Sequence, residues 1–284
     1  MKPHNKFFST GNRPVVAHRL FCLMVFLLFL FLSGFGFRPA DIRNHPESQV
    51  VTSTPTPDET IKVPDSGEPI IVAPGNDSRL VSPIHLKFAT RPGEDGQIRV
   101  DLIGQDNRLI YRSIRDYSSY IDHTILIEQE IPFEVRADES ARLQIILENA
   151  KGKPIFVTSV DVTLLLIKGT ETTGEAPVNP RLVIEQPVPG KTVTGSDLVI
   201  KGKIKPYNDT PLVFEVLGSD WHTLISKMIT VSIPADRTAF SSFELKLPCK
   251  TGSDTPVTIR IHQESKSMIT GTVFLWSEKV ILNP

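Results

Sequence analysis

The chain has 284 residues, of which 40% are hydrophobic and 22% are charged, and its formal net charge is −1. This length suits two ordinary domains with additional segments. Residues 1–43 contain six basic residues and one acidic residue, so the rest of the chain has a formal net charge of −6. An acidic main body argues against a nucleic-acid partner, because contacts with phosphates require clustered positive charge.

The first feature along the chain is an uncharged apolar run at residues 20–37, LFCLMVFLLFLFLSGFGF. As a helix it would span roughly 27 Å, which is close to the hydrocarbon thickness of a bilayer. Basic residues precede it, and the positive-inside rule places residues 1–19 in the cytoplasm. The sequence therefore predicts a single-pass transmembrane signal anchor, with the domains outside the cytoplasm. The alternative is a signal peptide cleaved near Gly34 and Gly36, which would release a secreted protein.

Two polar segments divide the remaining chain. Residues 38–68 are rich in Pro, Thr, Ser and acidic residues, and they are predicted to be a disordered linker that lifts the globular part off the membrane. A second break, GTETTGEAPVNP at residues 169–180, separates two blocks rich in apolar residues. The predicted domains are therefore residues 69–168 and residues 181–284.

The two blocks repeat one pattern at a constant offset of 114 residues. IRVDLIGQD at residues 98–106 aligns with LVFEVLGSD at residues 212–220, and LQIIL at residues 143–147 aligns with VTIRI at residues 257–261. A constant offset at separate places indicates a tandem duplication. Within both blocks apolar and polar residues alternate, which is typical of half-buried strands. The predicted fold class is all-β, with two tandem immunoglobulin-like β-sandwich domains.

One segment, residues 137–152, has an ambiguous pattern. Its apolar residues fall at helical spacing, and acidic residues lie early and Gly152 late in the segment. Its repeat partner, residues 255–265, contains a proline near its start and β-branched residues at alternate positions, which disfavour a helix. The repeat therefore favours a strand in both copies.

The chain contains two cysteines, Cys22 and Cys249. Cys22 lies within the predicted membrane span, so the exported part has no intrachain disulfide and depends on its core for stability. This pattern favours a bacterial exported protein. Cys249 could join two chains, or it could serve as a small buried residue.

The sequence predicts no catalytic residue, no metal site and no cofactor. Its histidines have none of the spacings of a zinc site, and neither a nucleophile motif nor a phosphate-binding loop is present. Gly104-x-Asp106 and Gly218-x-Asp220 could suggest calcium, but calcium requires six or more oxygen ligands. Hairpin turns use Gly and Asp for backbone reasons, so we interpret both sequences as turns.

The candidate ligand contacts are Trp221 and its neighbours Asp220 and His222, which lie in a predicted hairpin loop. An exposed aromatic residue there could stack on a sugar or contact a protein. The alternative is a side chain that folds back over the core. Trp276 lies in a predicted strand and is expected to be a packing residue.

Residues 183–217, VIEQPVPGKTVTGSDLVIKGKIKPYNDTPLVFEVL, carry a family resemblance. They resemble the immunoglobulin-like module of bacterial spore-germination and related envelope proteins, and the first block resembles it only faintly. The resemblance implies a β-sandwich in an extracytoplasmic interaction role and brings no catalytic residues. It rests on an opening strand, Pro187-x-Pro189-Gly190, Val193, Gly195, Val199-x-Lys201-Gly202 and the strand Leu212–Leu217.

Together these features predict a membrane-anchored, extracytoplasmic binding or scaffold protein of the bacterial cell envelope that is not an enzyme. Its expected partners are the membrane, through the N-terminal helix, and another envelope protein or a glycan. The alternative function is a carbohydrate-binding ectodomain that uses the aromatic loop at Trp221.

Overall fold

A computed structural model describes residues 67–166, 169–175, 180–188, 190–236, 238–249 and 251–284. The predicted cytoplasmic segment 1–19, the predicted anchor 20–37 and all but the last two residues of the predicted linker 38–68 lie outside the described residues. Within the described part of the chain, no helix is both long enough and apolar enough to span a membrane. The described residues all belong to one compact unit, Thr52–Pro284.

The described residues form β-strands and two short 3-10 turns, which confirms the all-β prediction. The turns are Gln105–Asn107 and Ser118–Tyr120. The first half of the fold comprises β1 (Ile70–Ala73), β2 (Ser78–Leu80), β3 (Ile84–Thr90), β4 (Gln97–Gly104), β5 (Leu109–Asp116), β6 (Ile125–Ile131), β7 (Glu139–Glu148) and β8 (Pro154–Leu164). The second half comprises β9 (Leu182–Gln186), β10 (Thr192–Thr194), β11 (Asp197–Ile204), β12 (Leu212–Leu217), β13 (Thr223–Ile229), β14 (Ser241–Pro248), β15 (Thr255–Ser265) and β16 (Gly271–Asn283).

Alternation along the strands places apolar side chains in the core, as the sequence predicts. In β11, Leu198 and Ile200 are buried, whereas Lys201 and Lys203 point to solvent. The ambiguous segment is strand β7, so the strand prediction is confirmed. It pairs with β4 on one side and β8 on the other, and nearly all its side chains are buried. A strand covered on both faces loses its alternation, which explains why its pattern resembled a helix.

The strands follow the same order in both halves. In the first half, β1-β3-β6 form one sheet, and β5-β4-β7-β8 form the other, with β2 parallel to β8. In the second half, β9-β11-β14 and β13-β12-β15-β16 have the corresponding positions, with β10 parallel to β16. This two-sheet order is that of an immunoglobulin-type sandwich. Across the second sandwich, the rings of Phe214 and Phe243 pack edge to face with centroids 5.3 Å apart.

The larger sheets of the two halves join into one. Strands β8 and β16 pair antiparallel, with Leu275 opposite Val157. Beside this pair, the Ser277 hydroxyl donates a hydrogen bond to the Ile155 carbonyl at 2.9 Å. In the described part of the chain the combined sheet has ten strands, and buried apolar residues of both halves form one continuous core.

The junction between the halves is close to symmetric. Leu147 pairs with Phe156 in the first half, and Ile261, the repeat partner of Leu147, pairs with Trp276 in the second half. Phe156 and Trp276 are therefore equivalent positions, and the β8–β16 contact is centred on them. The two halves meet through the same strand, as the subunits of a two-fold dimer do.

Part of the second predicted linker packs along the first half. Thr172 pairs with Arg79, and Glu175 pairs with Asn76. A side chain at Gly174 would bring a Cβ atom to within 1.8 Å of the Asn76 carbonyl oxygen, so glycine is required for this approach. The described residues of this segment therefore lie against β2 and its preceding turn.

Candidate binding sites at the junction of the two halves

The largest polar group in the junction is Arg142, in β7, whose side chain is only 1% exposed. Its guanidinium donates hydrogen bonds to both Asp161 carboxylate oxygens, at 2.8 and 3.3 Å. It also donates to the Ile269 carbonyl at 2.8 Å and to the hydroxyls of Ser265 and Ser267 at 3.2 and 3.4 Å. Asp161 of the first half thus balances the charge of Arg142, and the second half supplies the remaining acceptors through Ser265 and the β15–β16 loop.

A polar cavity of about 450 Å³ lies beside this network and is lined by both halves. The Tyr207 ring lies between two cations, with its centroid 4.8 Å from the Arg181 guanidinium and 5.8 Å from that of Arg142. Burial raises the pKa of the Tyr207 hydroxyl and lowers the pKa of Arg181. These groups interact mainly with one another, so we assign this region a role in holding the halves together.

Glu68 is buried near this region, and burial raises the pKa of its carboxyl from 4.5 to about 8, although Arg181 acts in the opposite direction. Folded protein therefore holds this proton more tightly than unfolded protein does. The resulting stabilisation is complete below about pH 4.5 and is lost as pH rises through about 8. We expect the free energy of unfolding to fall by up to roughly 1.4 kcal/mol per pH unit across this window.

Urea unfolding at pH 5.5, 7 and 8.5 measures this effect. Glu68→Gln should flatten the pH dependence, because the amide does not titrate. Glu244→Gln replaces an exposed carboxylate on β14 and should leave the dependence unchanged. An unaltered slope in Glu68→Gln would assign the pH dependence to other groups.

Trp221 lies in the tight turn between β12 and β13. The Gly218 N–H donates to the His222 carbonyl, and the Trp221 N–H donates to the Gly218 carbonyl, both at 2.9 Å. The Asp220 carboxylate accepts a hydrogen bond from the His222 N–H at 3.1 Å. Trp221 has φ +68°, a left-handed conformation that usually belongs to Gly or Asn. For a bulky residue this conformation costs about 1–2 kcal/mol.

The equivalent turn of the first half uses a better-suited residue. The Gly104 N–H donates to the Arg108 carbonyl at 2.8 Å, and this turn has two left-handed residues, Asp106 with φ +62° and Asn107 with φ +60°. Asn107 occupies the position equivalent to Trp221. Both Gly-x-Asp sequences therefore lie in hairpin turns, as predicted. Among the described residues, no group of three or more metal-ligating side chains is positioned to hold an ion.

The Trp221 side chain is half-buried and borders a cavity of about 300 Å³, which we call the Trp221 cleft. Trp221 is thus neither fully exposed nor a cover over the core. Asp220 and His222 are exposed and do not line the cleft. Trp276 is buried, as its predicted packing role requires. The lining of the cleft includes Ser219, Trp221, Thr258 and Lys279 from the second half and Glu94, Asn149 and Lys151 from the first half.

Hydrogen bonds from both halves close the junction around the cleft. The Lys151 ammonium donates to the Ser219 carbonyl at 3.0 Å, and Lys279 forms an ion pair with Glu94. No sequence pattern pointed to Lys151, Lys279 or Glu94, because they are distant along the chain and lie in surface segments. They come together only where β8 meets β16.

No family model matches the chain. No curated protein matches it. Among solved structures, the fibronectin(III)-like modules of Clostridium thermocellum CbhA share 14% identity, with 76% of this chain and 93% of that chain covered and a TM-score of 0.24. Latent PorU from Porphyromonas gingivalis shares 14% identity over 77% of this chain and 20% of its own, with a TM-score of 0.28. Titin domains z1z2 in complex with telethonin share 14% identity, with 76% of this chain and 95% of that chain covered and a TM-score of 0.21. The fold assignment therefore rests on the strand order of the chain itself.

Proposed function

We propose that the chain is a membrane-anchored binding or scaffold protein of the bacterial cell envelope, without enzymatic activity, whose two tandem immunoglobulin-like domains lie outside the cytoplasm. The observation that carries the scaffold role is the junction, where β8 and β16 continue one sheet and Arg142 is buried beneath a loop of the other half. Domains within a chain commonly move relative to each other unless their interface is large or apolar. A shared sheet and core instead favour a fixed arrangement, which suits a protein that presents two surfaces at a set spacing.

The membrane topology rests on the apolar run at residues 20–37 and the basic residues before it. Single cysteines introduced as Ser9→Cys and Ser53→Cys, each in a background with Cys22→Ala and Cys249→Ala, test it in intact cells with a membrane-impermeant maleimide. We expect labelling at Ser53→Cys and none at Ser9→Cys. Release of labelled Ser53→Cys protein into the medium would instead support signal cleavage, and the reverse labelling pattern would reject export.

The binding role is tested by capturing the full-length, tagged chain from detergent-solubilised envelopes after cross-linking. We expect a specific envelope component to be retained, and to be lost when the junction is disrupted by Arg142→Ala. Recovery of no specific component, together with a measurable enzymatic turnover, would reject the proposal.

A second candidate function is carbohydrate binding, and the observation that favours it is the half-buried Trp221 beside a mainly apolar cleft whose lining also includes Ser219, Thr258 and Lys151. Aromatic faces with polar neighbours are suited to sugar rings, which have one apolar face and hydroxyls at the edge. The absence of any bound glycan on an array probed with the full-length chain, or binding that survives Trp221→Ala, would reject this candidate.

A further inference from the structure

The Trp221 cleft exists because the second half departs from the first at two equivalent positions. At the 114-residue offset, Arg142 corresponds to Pro256, and Asn107 corresponds to Trp221. In one side of the junction the Arg142 side chain fills the space beneath the β15–β16 loop. In the other side Pro256 cannot reach across, and a cavity of about 300 Å³ remains beneath the β7–β8 loop. This volume lies at the lower end of the range for ligand pockets and can hold one or two sugar rings.

The contacts around the two sides are otherwise reciprocal. The Asn107 side-chain carbonyl accepts a hydrogen bond from the Thr270 N–H at 2.8 Å, so the first turn contacts the last loop of the second half. The second turn contacts the last loop of the first half, through Lys151 and the Ser219 carbonyl. Both sides of the near-symmetric junction hold a cavity, but a buried arginine bonds the β15–β16 loop, whereas no such residue of the described chain lies beneath the β7–β8 loop.

The backbone conformation at Trp221 is unfavourable for a bulky residue. Trp221 has a left-handed conformation, and the equivalent position of the first half is also left-handed but holds Asn107, a residue better suited to it. Unfavourable backbone conformations persist where another requirement outweighs them, and such positions concentrate at binding sites. Trp221 places a large aromatic face at the mouth of a cavity, and binding a ligand there is a requirement of this kind.

The charges of the cleft favour an anionic ligand. Lys279 is paired with Glu94, whereas the Lys151 ammonium donates to a neutral carbonyl. Among the described residues, no carboxylate lies within ion-pair distance of Lys151. The charged side chains of the lining therefore sum to one net positive charge, carried by an ammonium that can donate further hydrogen bonds.

We propose that the Trp221 cleft binds a carboxylated saccharide, with a sugar ring stacked on Trp221 and the carboxylate accepting a hydrogen bond from Lys151. This inference rests on the carbohydrate-binding candidate above and names its ligand class and its residues. Asp220 and His222 are not part of the site. Because Lys151 belongs to the first half and Trp221 to the second, the site is complete only in the fixed arrangement of the two halves.

The experiment uses the full-length chain in detergent micelles. An array of carboxylated oligosaccharides, including uronate and muramate types, is probed beside the neutral counterpart of each, and the best pair is measured by titration calorimetry. We expect the carboxylated member to bind at least tenfold more tightly than its neutral counterpart, and this preference to decline with added salt.

Three variants define the site. Trp221→Asn, which installs the residue of the equivalent turn, should weaken binding at least tenfold while the unfolding midpoint stays at or above that of the wild type. Lys151→Gln should remove the preference for the carboxylated member and retain binding of the neutral one. Lys153→Gln removes a neighbouring exposed lysine that does not line the cleft, and it should bind as the wild type does.

Three results would overturn the inference. They are the absence of any bound carboxylated saccharide, equal affinity for the charged and neutral members, and an affinity unchanged by Trp221→Asn. Capture of an envelope protein that Trp221→Asn does not disturb would leave the scaffold function standing without this site. If Arg142→Ala abolishes capture of the envelope protein and no form of the chain binds a saccharide, the scaffold function stands and the saccharide site is rejected.

Discussion

Replacing Arg142 with alanine should lower the free energy of unfolding by about 3 kcal/mol, the lower end of the range for breaking a buried ion pair. Arg142 is almost completely buried, and its removal leaves a cavity and takes one of the two hydrogen-bond donors from the Ile269 carbonyl, the other being the Ser267 hydroxyl. Asp161 is 34% exposed, so water can solvate its carboxylate in the variant, and the loss should not reach the upper end. Equilibrium urea unfolding measures the change.

A matched control is Arg79→Ala. Arg79 also forms an ion pair, with Asp138 at 3.2 Å, but both side chains are 49% exposed. Exposed pairs contribute about 0–1 kcal/mol, so this variant should unfold close to the wild type. If the two variants lost the same free energy of unfolding, burial at the junction would not make the contacts of Arg142 more stabilising than those of an exposed ion pair.

Replacing Phe214 with alanine should lower the free energy of unfolding by about 3–5 kcal/mol. Phe214 is fully buried, so the variant loses the favourable transfer of the ring into the core and is left with a cavity. The variant also lacks the edge-to-face contact between the rings of Phe214 and Phe243. Because one core and one sheet include both halves, we expect a single unfolding transition, shifted as a whole. Hydrogen exchange of amides in β3 and β11 reports on each half separately, and protection in both should fall together.

Met228→Ala provides the control for this variant. Met228 lies on β13, the strand next to β12, and it is 67% exposed. Exposed substitutions usually change stability by less than about 0.5 kcal/mol, so its transition should coincide with that of the wild type. If Phe214→Ala reduced protection in β11 alone, the halves would unfold independently, and a fixed arrangement would not hold.

Much of the fold could be predicted from the sequence because strands carry a local signal. The alternation seen in β11 and β14 follows directly from which side chains are buried. Strand β7 was recognisable only through its repeat partner β15, because a strand buried on both faces has no alternation of its own. The repeat thus supplied information that the local pattern lacked.

The candidate site was predictable only in part. Trp221 was identified as a possible contact because a large aromatic residue in a turn is unusual, but Asp220 and His222 were grouped with it by sequence proximity alone. In the fold they are exposed and do not line the cleft, whereas Lys151 and Glu94 of the other half do. Neighbours along a turn commonly face different directions, so sequence proximity is a weak guide to a site.

The sequence by itself determined the all-β class, the repeat and the two hairpin turns, because each follows from short-range patterns of burial and backbone conformation. Only the tertiary structure decided that β8 and β16 form one sheet, that Arg142 is buried beneath the β15–β16 loop, and that a cleft lined by both halves lies at Trp221. These features depend on contacts between residues more than 60 positions apart, such as Lys151 with Ser219. No local pattern records such contacts, because the pairing of two edge strands is fixed by how whole sandwiches meet.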